Sequence, residues 1–475
     1  MKTTFPYLLS GRWASEGRPF EVFSPYDNRC VAVTYRPPQE AIEEGVVAAE
    51  RAFDVTRHMP AYRKSEILLA VSSSIRARGE ELARWLALEA GKPLKAARVE
   101  VERAAMTMSV AAAETLRIGG EYLPLDLLPG AQGRWALVRR FPLGAILSIS
   151  PFNFPLNLVA HKWGPAMAAG NSLVHKPATK TPISSLLLAE IAVECGWPAE
   201  ALNVLPMAAA QAEQLVSDDR LKMLTFTGSP AVGWPLKSRA GKKRVTLELG
   251  GNAGVIVHED ADLTYAVDRC LFGGFSYAGQ SCISVQRIFV HRKIEADFLD
   301  LLLKGAEALR CGDPLDERVD VGPLISENDA NRAQQWIREA VQGGAQVLTG
   351  GDRDRAILQP TVLTATQPEM KVNCLEIFAP VVTVSPYERF ADAVSWVNES
   401  RYGLQAGVFT HDARLIFYAY DRLEVGGVIV GDVPTFRIEH MPYGGVKDSG
   451  IGREGIRYAI EEMTEMKLLA VNLPS

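Results

Sequence analysis

With 475 residues, 47% of them hydrophobic, the chain is long enough for two or three domains with real cores. Its formal net charge of -5 comes without any block of like charge, which argues against nucleic-acid or other polyanion partners. No apolar run reaches membrane-spanning length and Pro6 breaks the opening one, so a soluble, untargeted, cytoplasmic protein is expected. Cys30, Cys195, Cys270, Cys282, Cys311 and Cys374 form no C-x-x-C pair and no regular spacing, which speaks against a disulfide framework or a metal site.

The opening segment alternates short apolar runs with turn residues, as in Gly11-Arg12-Trp13, and reads as small strands or extended cover. From Pro38 to about Gly119 the pattern turns helical: Ile67, Leu68, Val71 and Ile75, then Leu82, Trp85, Leu86 and Leu88, recur at the spacing of a buried helix face. Gly91-Lys92-Pro93 interrupts it, and in the next helix, from about Leu94 to Leu116, Arg98 and Arg103 face either a substrate or solvent. Residues 119–142 change in kind, with Gly119-Gly120, Pro129-Gly130 and Gly133 punctuating two strand-like runs, and this predicts a protruding hairpin. Such an edge needs covering, so a partner subunit is expected, with the strand-like run Lys467–Asn472 as a pairing element.

After Pro142 the chain alternates β-rich runs with helical stretches. Strands are expected over 144–149, 172–176, 203–205, 223–226 and 245–247, which predicts a doubly wound parallel α/β sheet with ligands at the carboxyl ends of its strands. A second α/β series runs from Ala253 to about Pro442, placing a boundary near Gly250-Gly251.

Four strand ends carry one chemical logic. Asn153, in Pro151-Phe152-Asn153-Phe154-Pro155, either donates to a developing oxyanion or serves the turn. Lys176 suits ribose hydroxyls or a 2′-phosphate, with a surface lysine as the bland alternative. Thr227-Gly228-Ser229 running to Gly233 is a Gly-rich helix start fit for a pyrophosphate, although it is not the G-x-G-x-x-G pattern. Glu248, before Leu249-Gly250-Gly251, is either a cap or a general base. Cys282 then follows in the glycine-flanked turn Phe275–Ser284, a setting that exposes a nucleophile.

Together with Glu376–Pro380 and Pro442–Lys447, these motifs resemble, in order and along essentially the whole chain, the NAD(P)-dependent aldehyde dehydrogenase superfamily. The resemblance implies a Rossmann-like doubly wound cofactor domain (1–118, 142–249 and 447–466), an α/β catalytic domain (250–446) and a small β oligomerisation hairpin (119–141 with 467–475). A homodimer or homotetramer follows from it. It implies that the Cys282 thiolate attacks the aldehyde, that Asn153 and the Cys282 backbone N–H hold the oxyanion, and that Glu248 activates the water that releases the acid. Cofactor contacts are implied for Ser150, Pro151, Phe152, Ala178, Thr179, Gly228, Gly233 and Leu249. Lys176 and Glu376 would hold the two riboses, Phe378 the nicotinamide and Ser229 the pyrophosphate. No metal is implied.

Departures from the family pattern are informative. Pro235, deep in the cofactor helix, removes a backbone donor and predicts a kinked or short helix. Thr179 and Lys180 stand where many NAD-preferring members carry a glutamate, so NADP is not excluded. Asn157 and His161 share a helix face and form a polar pair toward the substrate, or merely satisfy each other. Ser281 replaces the arginine that several relatives acting on phosphorylated aldehydes carry, which lowers phosphorylated substrates. Ser284, Arg103, Arg437 and His440 complete the candidate substrate set, the cations as captors of a carboxylate. A small polar aldehyde, lactaldehyde- or glyceraldehyde-like, is favoured over succinate semialdehyde. A CoA-acylating semialdehyde dehydrogenase is the alternative within the fold, against which Glu248 counts. A cysteine hydrolase or esterase is the alternative outside it, and it would leave the cofactor motifs idle.

Overall fold

The structure is a computed structural model that describes residues 3–472. The expected parallel strands form as Ala145–Ile149, Ser172–Lys176, Leu202–Val204, Leu221–Thr227 and Arg244–Glu248. They lie in an eight-stranded sheet together with Arg12–Ala14, Tyr7–Leu9 and Gly450–Ile451, three short strands that pair antiparallel at its two edges. The opening residues, expected as small strands or extended cover, form strands that extend the sheet itself, and Tyr7, Leu8 and Leu9 are fully buried and bring their backbone groups with them.

Ala145–Ile149 sits between Ser172–Lys176 on one side and Leu221–Thr227 on the other, both parallel to it. The chain order reverses there, and the loops at the carboxyl ends diverge and leave a crevice. Helix Asn157–Ala169 is buried at all thirteen positions. It packs between this sheet and helix Leu94–Thr115, which explains its largely apolar composition. Any polar residue on it is withdrawn from water.

The chain leaves the first sheet at Glu248 and enters the second at Ala253. The second sheet has seven strands, in the order Gln346–Thr349, Thr361–Thr364, Val381–Tyr387, Val285–His291, Ala253–Val257, Gln405–Phe409 and Gly427–Val430. All its pairings are parallel except the first. The expected hairpin is present as Gly120–Pro124 and Arg134–Pro142. Thr464–Asn472 adds to it as a third antiparallel strand from the same chain, longer than the predicted 467–472. Tyr122, Leu127, Leu128, Met466, Leu468 and Leu469 on this ribbon are exposed. The remainder of the expected pairing element, residues 473–475, lies outside the described residues.

Candidate active site

The crevice is a cavity of about 880 Å³ that begins at Cys282 and ends among Ala209, Ala212 and Glu213. Its walls are strand ends: Ile149 to Asn153, Lys176 and Ala178, Phe226 to Ser229, and Leu249-Gly250, with Glu376 and Phe378 arriving from the connection between strands Thr361–Thr364 and Val381–Tyr387 of the second sheet. Helix Pro230–Arg239 points its N-terminus at this space through Ser229, Ala231 and Val232, and Pro230 at its first position lacks only a donor that would be unpaired anyway. The helix is ten residues long and carries Pro235 inside it, facing the cavity.

The residues present fit a nicotinamide dinucleotide. Lys176 Nζ donates to the Pro177 carbonyl at 3.1 Å, and burial together with the charge of Arg36 pulls it down to about 8, so a phosphate or hydroxyl would relieve a crowded cation. Glu213 on the far wall is tied to Arg239 at 2.7 Å. Glu376 accepts from the Gly251 N–H at 2.9 Å and burial pushes it up to about 7, leaving its other oxygen toward Gly250 and the cavity. Phe378 holds a left-handed backbone, φ +52°, and meets Phe152 edge to face at 5.9 Å; such strain in a non-glycine residue persists only where its surroundings impose it. Two expected contacts go elsewhere. A Cβ on Gly233 would fall 2.5 Å from the Leu249 side chain, so its smallness serves helix-to-strand packing rather than a ligand. Thr179 and Lys180 line a separate cavity with Phe20 and Arg355, and Lys180 lies 3.9 Å from Asp329.

Three successive left-handed residues, Tyr277, Ala278 and Gly279, turn the chain out of helix Leu263–Phe275 and into the cysteine loop. Only the last is a glycine, so the first two are held against their preference. Tyr277 anchors the turn by donating to the Ala90 carbonyl at 2.9 Å. Its ring and that of Phe154 flank the Lys92 ammonium at 4.3 and 3.6 Å. Lys92 is fully buried and pairs with Glu100, whose other oxygen accepts from the Leu156 and Asn157 backbone N–H groups. One buried ion pair thus ties the Asn153 loop to the Cys282 loop.

Cys282 is half-buried on the cavity wall and its sulfur lies 3.0 Å from the Tyr443 hydroxyl. Burial pushes the thiol up to about 12, partly offset by the Tyr443 hydrogen bond. Asn153 donates one amide hydrogen to the Gln280 carbonyl at 3.1 Å, which sets its side chain against the cysteine turn. Glu248 is buried with both oxygens unpartnered. Burial first, then the neighbouring Glu454, raises its pKa well above its ordinary value.

Beyond Cys282 lies a connected ionic network. Arg437 stacks 3.7 Å over the Tyr443 ring and donates to Glu454 at 3.0 Å and to the His161 ring at 3.3 Å. Glu454 also takes Lys162 at 3.4 Å. Glu439 bonds His161 Nε2 through one oxygen and Arg103 Nε, at 2.6 Å, through the other. Thr107 donates to Asn157 Oδ1 at 2.9 Å. The sequence set Arg103, Asn157, His161 and Arg437 is thus brought together. His440 is exposed on the same loop, Ser284 donates to the Gly273 carbonyl at 3.1 Å, and Ser281 accepts from the Ile283 N–H at 3.4 Å, so these three do not join the network. Arg98 is at the surface with Glu80 and Glu317.

Sequence reasoning missed Tyr443, Glu439, Glu454, Lys162, Lys92 and Glu100. Lys162 had a signal, a lysine inside a helix apolar on every side. Among the described residues no group of three or more His, Cys, Asp or Glu is placed to hold a metal ion, and no helix is long and apolar enough to cross a membrane.

The model of the Aldehyde dehydrogenase family matches residues 13–469. A 3-sulfolactaldehyde dehydrogenase of Priestia aryabhattai is 44% identical over 466 residues, 98% of this chain and 97% of that protein. Aldehyde dehydrogenase 21 of Physcomitrella patens, solved with the reaction product succinate, is 41% identical with a TM-score of 0.97, covering 99% of this chain and 98% of that one. Glyceraldehyde-3-phosphate dehydrogenase GapN of Methanocaldococcus jannaschii, solved with NADP, is 37% identical with a TM-score of 0.92, covering 96% and 99%.

Proposed function

Because the chain belongs to the aldehyde dehydrogenase family, oxidoreductases acting on aldehydes with NAD or NADP, we propose that it oxidises a small hydroxylated aldehyde carrying a terminal acid group, of the 3-sulfolactaldehyde kind, to the carboxylic acid. The observation that carries this is the set Arg103, His161 and Arg437 gathered beyond Cys282. Guanidinium forks suit a sulfonate or carboxylate at one end of a substrate whose other end meets the sulfur. The resemblance to a dehydrogenase named for 3-sulfolactaldehyde supports the same reading. It keeps the small polar aldehyde expected from sequence and adds an acid group to it.

The Cys282 sulfur, once its proton is lost, attacks the carbonyl carbon, and the Tyr443 hydroxyl at 3.0 Å stabilises the developing thiolate by donating to it. The carbonyl oxygen becomes an oxyanion, for which Asn153 has a second amide hydrogen beyond the one given to Gln280. The nicotinamide cofactor, when bound, supplies the acceptor for the aldehyde hydrogen as hydride. Glu248 then takes a proton from the water that cleaves the Cys282 thioester, and its raised pKa makes it a stronger base than an exposed carboxylate. Lys176 beside Arg36, with Glu213 neutralised by Arg239, supports acceptance of NADP as well as NAD. The exposed apolar ribbon of the hairpin supports assembly as a homodimer or homotetramer, and a cytoplasmic location is part of the same reading.

The test is a panel of lactaldehyde, 3-sulfolactaldehyde, succinate semialdehyde and glyceraldehyde 3-phosphate with NAD or NADP, read at the reduced-nicotinamide band. The highest kcat/KM is expected for 3-sulfolactaldehyde. Equal or better use of lactaldehyde removes the acid group from the proposal. A signal that requires CoA moves the chain to the acylating class, and no signal with any aldehyde removes the reading altogether.

A further inference from the structure

A second cavity, of about 480 Å³, opens on the second sheet, apart from the crevice at Cys282. Its walls come from the chain that leaves strand Thr361–Thr364, from strands Val285–His291 and Val381–Tyr387, and from the end of helix Phe390–Asn398. That volume is ordinary for a small-molecule site. Arg287 stands in the wall, only 7% exposed. Its Nη1 donates to the Trp396 carbonyl at 2.7 Å, and its Nη2 to the Asn252 and Val397 carbonyls, each at 3.1 Å. Two of these bonds cap the last turn of the helix, a structural task that suits a cation. None of them brings a negative charge. Among the described residues no carboxylate bonds to Arg287, and its Nε–H is buried without a partner. The Thr366 hydroxyl, in the same wall, is likewise buried and unpartnered.

A buried cation without a counter-ion is costly, and an anion placed beside it offsets the cost. The rest of the wall says what that anion carries. Phe289 and Trp396 pack with ring centroids 5.8 Å apart, the Arg287 guanidinium lies 5.6 Å from the Phe289 ring, and Pro368 and Pro386 add apolar surface. Arg401 at the rim is tied to Asp448, and Glu399, the one carboxylate in the wall, is exposed. An acid group joined to an apolar ring fits this lining better than a bare ion does. The cavity also shares a segment with the cofactor crevice: Asn373 and Cys374 line the one, Glu376 and Phe378 the other. Asn252, whose carbonyl accepts from Arg287, donates to the Asn373 and Leu375 carbonyls at 2.7 and 3.1 Å, and the preceding Gly251 N–H holds Glu376 at 2.9 Å. Gln286, next to Arg287, donates to the Val372 and Leu375 carbonyls at 2.8 and 2.7 Å. An occupant touching Arg287 and Asn373 therefore braces this segment in the arrangement that presents Glu376 to the cofactor.

We propose that this cavity is a second ligand site, which takes a small organic anion carrying an aromatic ring, and that its occupant tightens the binding of the nicotinamide cofactor. The acid group meets Arg287 and the ring lies against Trp396 and Phe289. Coupling between two sites is reciprocal, so bound cofactor raises the affinity for the anion by the same factor. The site is separate from Cys282, and the inference holds whichever aldehyde the enzyme oxidises.

The probe is phenyl phosphate, with inorganic phosphate, which lacks the ring, and phenol, which lacks the charge, as controls. Cys374 reports occupancy in the wild type, since it is half-buried in the wall with its sulfur on the Glu369 carbonyl at 3.3 Å. Phenyl phosphate should protect it from iodoacetamide at a concentration at least about tenfold lower than either control, as read by peptide mapping, and leave the exposed Cys30 unprotected. Calorimetric titration of the cofactor-saturated enzyme should find one equivalent bound in the wild type and none in Ser385→Trp, which fills the cavity and keeps Arg287. Saturating phenyl phosphate should tighten the Kd of NADPH, read by its fluorescence, about fivefold; competition inside the crevice would weaken it, so the sign separates the two sites. Protection of Cys374 no better than by phenol or phosphate overturns the site, as does binding that survives in Ser385→Trp. Should that variant not fold, the protection of wild-type Cys374 decides. An NADPH affinity left unchanged or weakened overturns the coupling.

Discussion

Replacing Tyr443 by Phe removes the hydroxyl 3.0 Å from the Cys282 sulfur while leaving the ring on which Arg437 stacks at 3.7 Å. The Tyr443 hydrogen bond partly restrains a thiol that burial drives upward, to about 12 with that bond in place. A hydrogen bond to a charged acceptor is worth about 1.5 to 3 kcal/mol, so its loss lowers the thiolate fraction by roughly 10- to 150-fold. A more basic thiolate is also more nucleophilic, with a Brønsted slope of about 0.4 to 0.5, and this returns about half of the effect on a logarithmic scale. The net expectation is that alkylation of Cys282 by iodoacetamide slows by roughly 3- to 12-fold at pH 8. Peptide mapping by mass spectrometry separates Cys282 from the other five thiols. In both proteins the rate should climb with pH throughout the range below 12, because the thiol is mostly protonated there. An equal or faster alkylation of Cys282 in Tyr443→Phe would refute the reasoning, since the hydroxyl would then be a bystander.

Other outcomes follow from the same geometry. Glu376 has a folded pKa of about 7, above the ordinary carboxyl value, so its contribution to stability is complete below about 4.5 and is lost as pH rises through 7. Glu376→Gln, whose amide oxygen can keep the Gly251 bond, should therefore gain on the wild type between pH 5 and 8, by roughly 2 kcal/mol because cavity water screens part of the shift; thermal melts across that range check it, and a constant difference counts against it. Lys176→Met should raise the KM for NADP at least about tenfold, and more than that for NAD, because a 2′-phosphate loses a charge-assisted bond; equal effects would remove Lys176 from the phosphate end. Lys92→Met strands Glu100 in the interior and should lower the unfolding free energy measured in urea by on the order of 3 kcal/mol, and it should lower kcat as the Asn153 and Cys282 loops lose their shared anchor. A fully active, fully stable Lys92→Met would show the tie to be idle.

What the sequence made legible was local. The strands ending at Ile149, Lys176, Thr227 and Glu248 announced themselves through β-rich runs closed by turn residues, and the first three converge at the switch point that doubly wound topology requires. Cys282 stood out because its turn is glycine-flanked, and the structure adds the strained Tyr277 and Ala278 before it. The ionic network beyond Cys282 was only half visible. Arg103, Asn157, His161 and Arg437 could be suspected from residue type, but Glu439 meets His161 across 278 residues of sequence and Glu454 meets Lys162 across 292. Periodicity carries no information at such separations. Ser284 shows the converse, a residue well placed in sequence whose hydroxyl is claimed by the Gly273 carbonyl. Gly233 likewise obeyed the expected pattern for a different reason, the room needed by Leu249.

The central claim is that Cys282 carries the acyl group and Glu248 releases it. Glu248→Gln, mixed with a saturating aldehyde and cofactor, should give a single burst of about one equivalent of reduced nicotinamide per active site and then stall, with intact mass and peptide mapping placing the acyl group on Cys282. Steady turnover in that variant, or a burst whose adduct lies on any other residue, would contradict the account.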